Sequence, residues 1–231
     1  MANKNLNNPE EREKALAKNK IAANAKKVGK HLMFPTAFYE MKLDMDTLKV
    51  VRDRVLKMRD EDKKRDPDSI IWVSNDNLHI HKDFAYLNGY LNFVAGTILQ
   101  DHMIDADHNS VYTTGLWANI SKKWYQHQSH NHPNSWYSAI LYLDAPEGSG
   151  STIFDDPRIQ RQIIQPDYYQ MTAENAYQFV SKAEPGKLIF FPSYIKHSVT
   201  AGLQDDGERI SLAANFQFKA QAQRITQKWK W

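Results

Sequence analysis

The sequence predicts a mainly β domain, an antiparallel double sheet with helices packed on its outside, and three observations predict it. Helical spacing of apolar residues is confined to the first half of the chain. From about residue 110, short apolar runs separated by turn residues replace it. The last run alternates: Ile210, Leu212, Ala214, Phe216 and Phe218 share an apolar face, while Arg209, Ser211 and Asn215 share the other. Helices first and strands later fit one double sheet covered by helices.

The elements follow in order. Residues 1–30 carry eight Lys or Arg against three Asp or Glu and few large apolar side chains. They read as a basic, flexible or marginally helical N-terminal extension, and residues 31–231 as the folded domain. Leu32-Met33-Phe34-Pro35-Thr36-Ala37-Phe38-Tyr39 suits an edge strand, because proline interrupts it. Leu48, Val51, Val55 and Met58 recur at helical spacing after Asp46, a candidate N-cap. The charged run Arg59–Asp68 reads as a solvated helix end and loop. After Asp83 the spacing of Phe84, Leu87, Leu91, Val94 and Ile98 predicts a stronger helix that covers the sheet. Strands are expected at Val111–Asn119, Ser135–Leu143, Ser151–Phe154, Lys187–Phe191, His197–Thr200 and Arg209–Phe218. The segment Ile159–Lys182, with Tyr168, Tyr169, Tyr177 and Phe179, reads as a lid or substrate loop.

Composition excludes several classes. At 231 residues the chain can bury a sizeable core. With no cysteine it has no disulfide, no thiolate metal site and no thiol nucleophile, so any ion must sit on nitrogen and oxygen. Outside the first 30 residues the charge is close to balanced, so the body is not a basic nucleic-acid binder. No apolar run reaches membrane-span length, and the polar start lacks the apolar core of a signal peptide, so the expected location is cytoplasmic. A homodimer stays open.

Residues 127–132 read His-Gln-Ser-His-Asn-His, which places three of the nine histidines within six residues. On an extended segment, residues i and i+2 face the same way, so His130 and His132 can hold one ion while Asn131 points away. His197, in a later apolar run, can close the site. His127 is read as a contact beside it. His79 and His81 repeat the spacing, but Asn75-Asp76-Asn77 before them and a helix after them indicate a loop or strand edge without metal. The tryptophans, including Trp117, Trp124, Trp136, Trp229 and Trp231, are expected mostly in the core or barrel lining. Trp124, Tyr125 and Asn119 are candidates to border a pocket near the histidines.

Further residues carry a family resemblance. They run, in order, as His130-Asn131-His132-Pro133-Asn134-Ser135, Ser138-Ala139-Ile140-Leu141-Tyr142-Leu143, Gly148-Ser149-Gly150 and Phe154-Asp155-Asp156-Pro157-Arg158. Then come Pro185-Gly186-Lys187-Leu188-Ile189-Phe190-Phe191-Pro192, His197-Ser198-Val199 and Arg209-Ile210-Ser211. In this order the chain resembles the iron(II)- and 2-oxoglutarate-dependent oxygenases, specifically small bacterial and phage members related to prolyl 4-hydroxylases, over roughly its last 200 residues.

The resemblance implies a double-stranded β-helix (jelly roll) with Fe(II) at the open end of the barrel and 2-oxoglutarate as cosubstrate. It implies that His197 is the distal metal ligand and that Arg209 grips the far carboxylate of 2-oxoglutarate, with Tyr142 and Ser211 as further donors. It also implies hydroxylation of an unactivated C–H bond in a small-molecule, amino-acid or peptide substrate, with release of succinate. The chain departs from the wider pattern His-x-Asp…His in having His132 where the carboxylate would stand. Either three histidines hold the iron or a carboxylate arrives from elsewhere, Asp156 first, with Arg158 beside it as a substrate contact. A competing reading is a non-oxidative, cupin-like metal-binding jelly roll, an isomerase or small-acid binding module.

Overall fold

The computed structural model describes residues 8–17, 29–105, 109–164 and 166–220. The chain divides into two units, Met1–Thr36 and Ala37–Trp231. In the first, helix α1 spans Pro9–Ala17, with Glu10 and Glu11 in its first turn, where acidic side chains favour the helix dipole. Trp229 and Trp231 lie outside the described residues.

The second unit is organised around its longest strands, β3 (Asn109–Ser121) and β10 (Arg209–Ala220). Strands β1 (Tyr39–Lys42), β2 (Ile71–Val73), β5 (Tyr137–Asp144) and β8 (Lys187–Pro192) join them in a six-stranded antiparallel sheet ordered β1-β8-β5-β10-β3-β2. A four-stranded antiparallel sheet holds β4 (His127–His130), β6 (Ser151–Asp155), β7 (Gln178–Lys182) and β9 (His197–Val199), ordered β4-β9-β6-β7. Two antiparallel sheets flanked by helices make the double-stranded β-helix.

The alternation read in β10 decides the layering. Ile210, Leu212, Ala214 and Phe216 are buried in one large core with Leu116, Ala118 and Ile120 of β3 and Tyr137, Ala139, Leu141 and Leu143 of β5. Helices α2 (Met45–Glu61) and α3 (Ala85–Asp101) complete that core with Leu48, Val55, Leu87, Leu91, Val94 and Ile98. Each fully buried Leu or Phe there contributes roughly 1.5–3 kcal/mol relative to exposure. The opposite faces of the same strands meet a smaller cluster of Phe154, Ile189, Phe191 and Ile195, packed by Phe38 and Ile140. The large core therefore fixes the outside of the sheet, and the inside is free to carry polar groups.

Several local expectations change. The N-cap of α2 is Asp44, whose carboxylate accepts from the Thr47 backbone N–H, so Asp46 lies inside the first turn. The first strand begins only at Tyr39, because its ladder partners Lys187–Phe190 match Tyr39–Lys42. Of the two alternatives for His79 and His81 the loop holds, since they stand in and beside two short 3-10 turns, Leu78–Ile80 and Lys82–Phe84. Ile159–Lys182 is not all loop: it holds a 3-10 turn at Ile159–Ile163 and ends as β7, paired with β6.

Candidate metal centre and cosubstrate pocket

β4 pairs with β9 so that His130 lies opposite His197, and their ring centroids stand 4.3 Å apart. The strand ends at His130. His132 reaches the same side from the following turn, where its backbone N–H donates to the Ser193 carbonyl at 3.0 Å. Its ring lies 5.2 Å from that of His130 and 5.1 Å from that of His197. Each of the three offers one ring nitrogen, and these atoms lie within 4.8 Å of one another. Among the described residues they are the group of three or more potential ligands so placed.

The imidazoles are prepared as ligands. A carbonyl oxygen only accepts, so His130 Nδ1–H donates to the Gln128 carbonyl at 2.8 Å and His197 Nδ1–H to the Ile195 carbonyl at 3.1 Å. Each Nε2 then carries a free lone pair, and the ring is held in orientation as metal-ligating histidines usually are. Burial, reinforced by the neighbouring imidazoles, lowers the pKa of His132 to about 4 and that of His197 to about 3. Both are neutral near pH 7, the state that binds a metal. The donor set therefore fits a divalent first-row ion on nitrogen, and zinc and iron(II) both suit imidazole.

The other candidate ligands are not part of this group of three. The Asp156 carboxylate is gripped by Arg158, Nε on Oδ1 at 2.9 Å and Nη2 on Oδ2 at 2.8 Å, and does not join the histidine group. His127 stacks on His130 with centroids 4.2 Å apart and a 19° interplanar angle.

The histidines open into a pocket whose other wall carries Arg209, Tyr142, Thr152, Ser211, Asn119 and Tyr125. Arg209 is only 5% exposed and donates from Nη1 to the Ser149 carbonyl at 2.7 Å. Among the described residues no carboxylate forms an ion pair with it, although burying an unpaired charge is costly. The pull of burial on its pKa is downward, opposed by Tyr142 and Tyr125. The Ser149 carbonyl depends on a tight turn: Gly150 has φ +91°, and a Cβ there would meet the Thr200 carbonyl oxygen at 2.6 Å. Tyr142, fully buried, shares a 2.8 Å hydrogen bond with Thr152, and burial keeps its phenol protonated.

The sequence-predicted residues His127, His130, His132, His197, Asn119, Tyr125, Tyr142, Arg209 and Ser211 line this one pocket. Trp124 does not: at φ +72° it is exposed, and Trp117 takes the place beside His132, ring to ring at 5.9 Å. Thr152 and Ser149 were missed. Thr152 was legible as the inward neighbour of Phe154 in alternation along β6, but Ser149 acts through its carbonyl, which no side chain announces.

Residues 115–215 match the family model described as "Putative 2OG-Fe(II) oxygenase". No curated protein sequence matches the chain. Among solved structures it is similar to the non-heme α-ketoglutarate-dependent epimerase SnoN of nogalamycin biosynthesis, at 13% identity over 79% of this chain and 76% of that one, TM-score 0.58. It is also similar to a Pseudomonas putida prolyl-4-hydroxylase, at 13% identity over 79% and 92%, TM-score 0.55. A third similar structure is HygX from Streptomyces hygroscopicus with nickel and 2-oxoglutarate bound, at 12% identity over 78% and 82%, TM-score 0.51. At these identities the structural likeness speaks for the fold.

Proposed function

We propose that this chain is an iron(II)- and 2-oxoglutarate-dependent oxygenase, that His130, His132 and His197 hold the iron and that Arg209 binds the far carboxylate of 2-oxoglutarate. One observation supports this most: a buried guanidinium with no carboxylate partner among the described residues faces the same pocket as three clustered imidazoles. A dicarboxylate would supply the missing anion, and a planar guanidinium matches a carboxylate through paired hydrogen bonds. Tyr142 and Ser211 would donate to the same carboxylate, and Asn119 and Tyr125 would border it.

When bound, the iron with 2-oxoglutarate and oxygen supplies the oxidising power to hydroxylate an unactivated C–H bond, with succinate and carbon dioxide released. The protein's own part is positioning. The carbonyls of Gln128 and Ile195 aim two of the imidazoles, and the Ser149 carbonyl aims Arg209. Trp117, Ile140 and Val199 present apolar surface that excludes water around the reacting groups. The substrate class we propose is a small molecule, an amino acid or a peptide. The proposed location is the cytoplasm; among the described residues no helix is long and apolar enough to cross a membrane.

The test is succinate release from 2-oxoglutarate by purified, iron-loaded protein, measured with and without oxygen. Oxygen-dependent succinate is expected, slow without substrate. Its complete absence in protein that binds iron would favour the non-oxidative, cupin-like reading. Arg209→Ala is expected to raise the Michaelis constant for 2-oxoglutarate at least about tenfold, as loss of a charged hydrogen bond worth roughly 1.5–3 kcal/mol implies. Its iron affinity without cosubstrate stays near wild type. Normal saturation by 2-oxoglutarate in this variant would show that Arg209 only supports the fold.

We further propose that residues 1–30 form an extension outside the oxygenase domain of 31–231. A chain lacking them is expected to retain iron binding, uncoupled turnover and its thermal transition. Loss of the thermal transition on deletion would contradict the division.

A further inference from the structure

Helix α3 carries no charged residue from Ala85 to Gln100, yet one face of it is open to solvent. Tyr86 is 85% exposed and Phe93 70%, with Tyr90, Gly89 and Thr97 also exposed and Gly96 half-exposed between them. Two large aromatic side chains standing free on an uncharged helix face are unusual, because such a surface gains free energy on being covered. The opposite face, with Leu87, Leu91, Val94 and Ile98, is already buried in the core.

The order of large and small residues on this face is its own complement. Tyr86 and Gly89 stand five and two positions before Leu91, while Gly96 and Phe93 stand five and two positions after it. A second copy of the helix, turned antiparallel about a two-fold axis at the level of Leu91, sets Tyr86 against the partner copy's Gly96 and Phe93 against its Gly89. Each projection meets a position without a side chain. Apart from the helix's own backbone and the adjoining residues, neither glycine has an atom within 4 Å of where a Cβ would stand, so both hollows are open. A two-fold interface requires this: the same patch must serve both subunits, with residue i meeting j and j meeting i.

We infer that this chain forms a two-fold homodimer through the exposed face of α3, with Tyr86 and Phe93 packed into the hollows at Gly96 and Gly89 of the second copy. The absence of charge on the face removes the like-charge repulsion that self-pairing would otherwise bring. The interface is independent of the pocket chemistry, since α3 packs on the outer face of the six-stranded sheet.

Sedimentation velocity of the full chain, from low to high micromolar protein, tests it. The wild type is expected to dimerise. Phe93→Gly is expected to weaken the dimer at least about tenfold, as loss of a central aromatic anchor does. Gly89→Phe alone should also weaken it, by setting phenylalanine against phenylalanine. The double variant, Gly89→Phe with Phe93→Gly, exchanges the two positions and is expected to dimerise more tightly than either single variant. Phe93→Glu keeps a helix-compatible side chain and should be monomeric. Far-UV circular dichroism and the thermal midpoint verify that each variant is folded, which exposure of both positions favours. A wild-type chain that stays monomeric throughout overturns the inference. So does a dimer indifferent to Phe93→Glu, or a double variant no tighter than the single ones.

Discussion

His197→Ala is expected to lose iron binding by at least about two orders of magnitude and, with it, all succinate production. Changes to groups that only orient a metal ligand already cost about 10–100-fold. The proposed centre has three nitrogen donors and no carboxylate, so removing one leaves iron(II) on two neutral imidazoles. His197 is also the most buried of the three, stacked near Phe154 with ring centroids 5.8 Å apart and edge-to-face with Phe191 at 4.7 Å. Alanine there opens a cavity between two aromatic rings, and the thermal midpoint should fall as well. His197→Gln fills more of that space, so iron loss in that variant separates ligation from packing. Iron titration followed by absorption or calorimetry, with succinate assayed in parallel, checks the result. Unchanged iron affinity in folded His197→Ala would remove the histidine centre from this protein.

How much of this was legible in the sequence depended on what each residue does. The inner face of β10 was readable because alternation alone places Arg209 and Ser211 opposite Ile210 and Leu212, and burial of the latter pair then turns the former into the pocket. The histidine run was readable as a cluster, but β4 was not readable as a strand. His127-Gln128-Ser129-His130 has no apolar alternation; its ladder is set by β9, with an irregularity between His127 and His130. Trp124 was misplaced for a backbone reason, since its left-handed φ turns the side chain outward to solvent. β7 was hidden in a segment that looked like a lid, because Phe179 and Val180 remain largely exposed even in the sheet. The grip on Arg209 was out of reach, since a main-chain carbonyl supplies it.

The departure from His-x-Asp leads to the second large effect. His132→Ala is expected to weaken iron binding at least about 100-fold, while Asp156→Ala leaves it within a few-fold of wild type. Asp156 already has both carboxylate oxygens on the Arg158 guanidinium and caps the Arg158 backbone N–H at 2.9 Å, so recruiting it would break three hydrogen bonds. His132 is instead held in place by its backbone bond to Ser193, and its burial keeps the ring neutral. His132→Asp then becomes the informative substitution. A carboxylate gives iron(II) the negative ligand that three imidazoles withhold, and the shorter side chain starts from the same anchored backbone. That variant should bind iron more tightly than His132→Ala, measured by titration of metal-free protein. If Asp156→Ala strips the iron and His132→Ala does not, the third ligand is the carboxylate at the end of β6, drawn away from Arg158 when metal binds. The oxygenase assignment would survive that result, but the three-histidine centre would not.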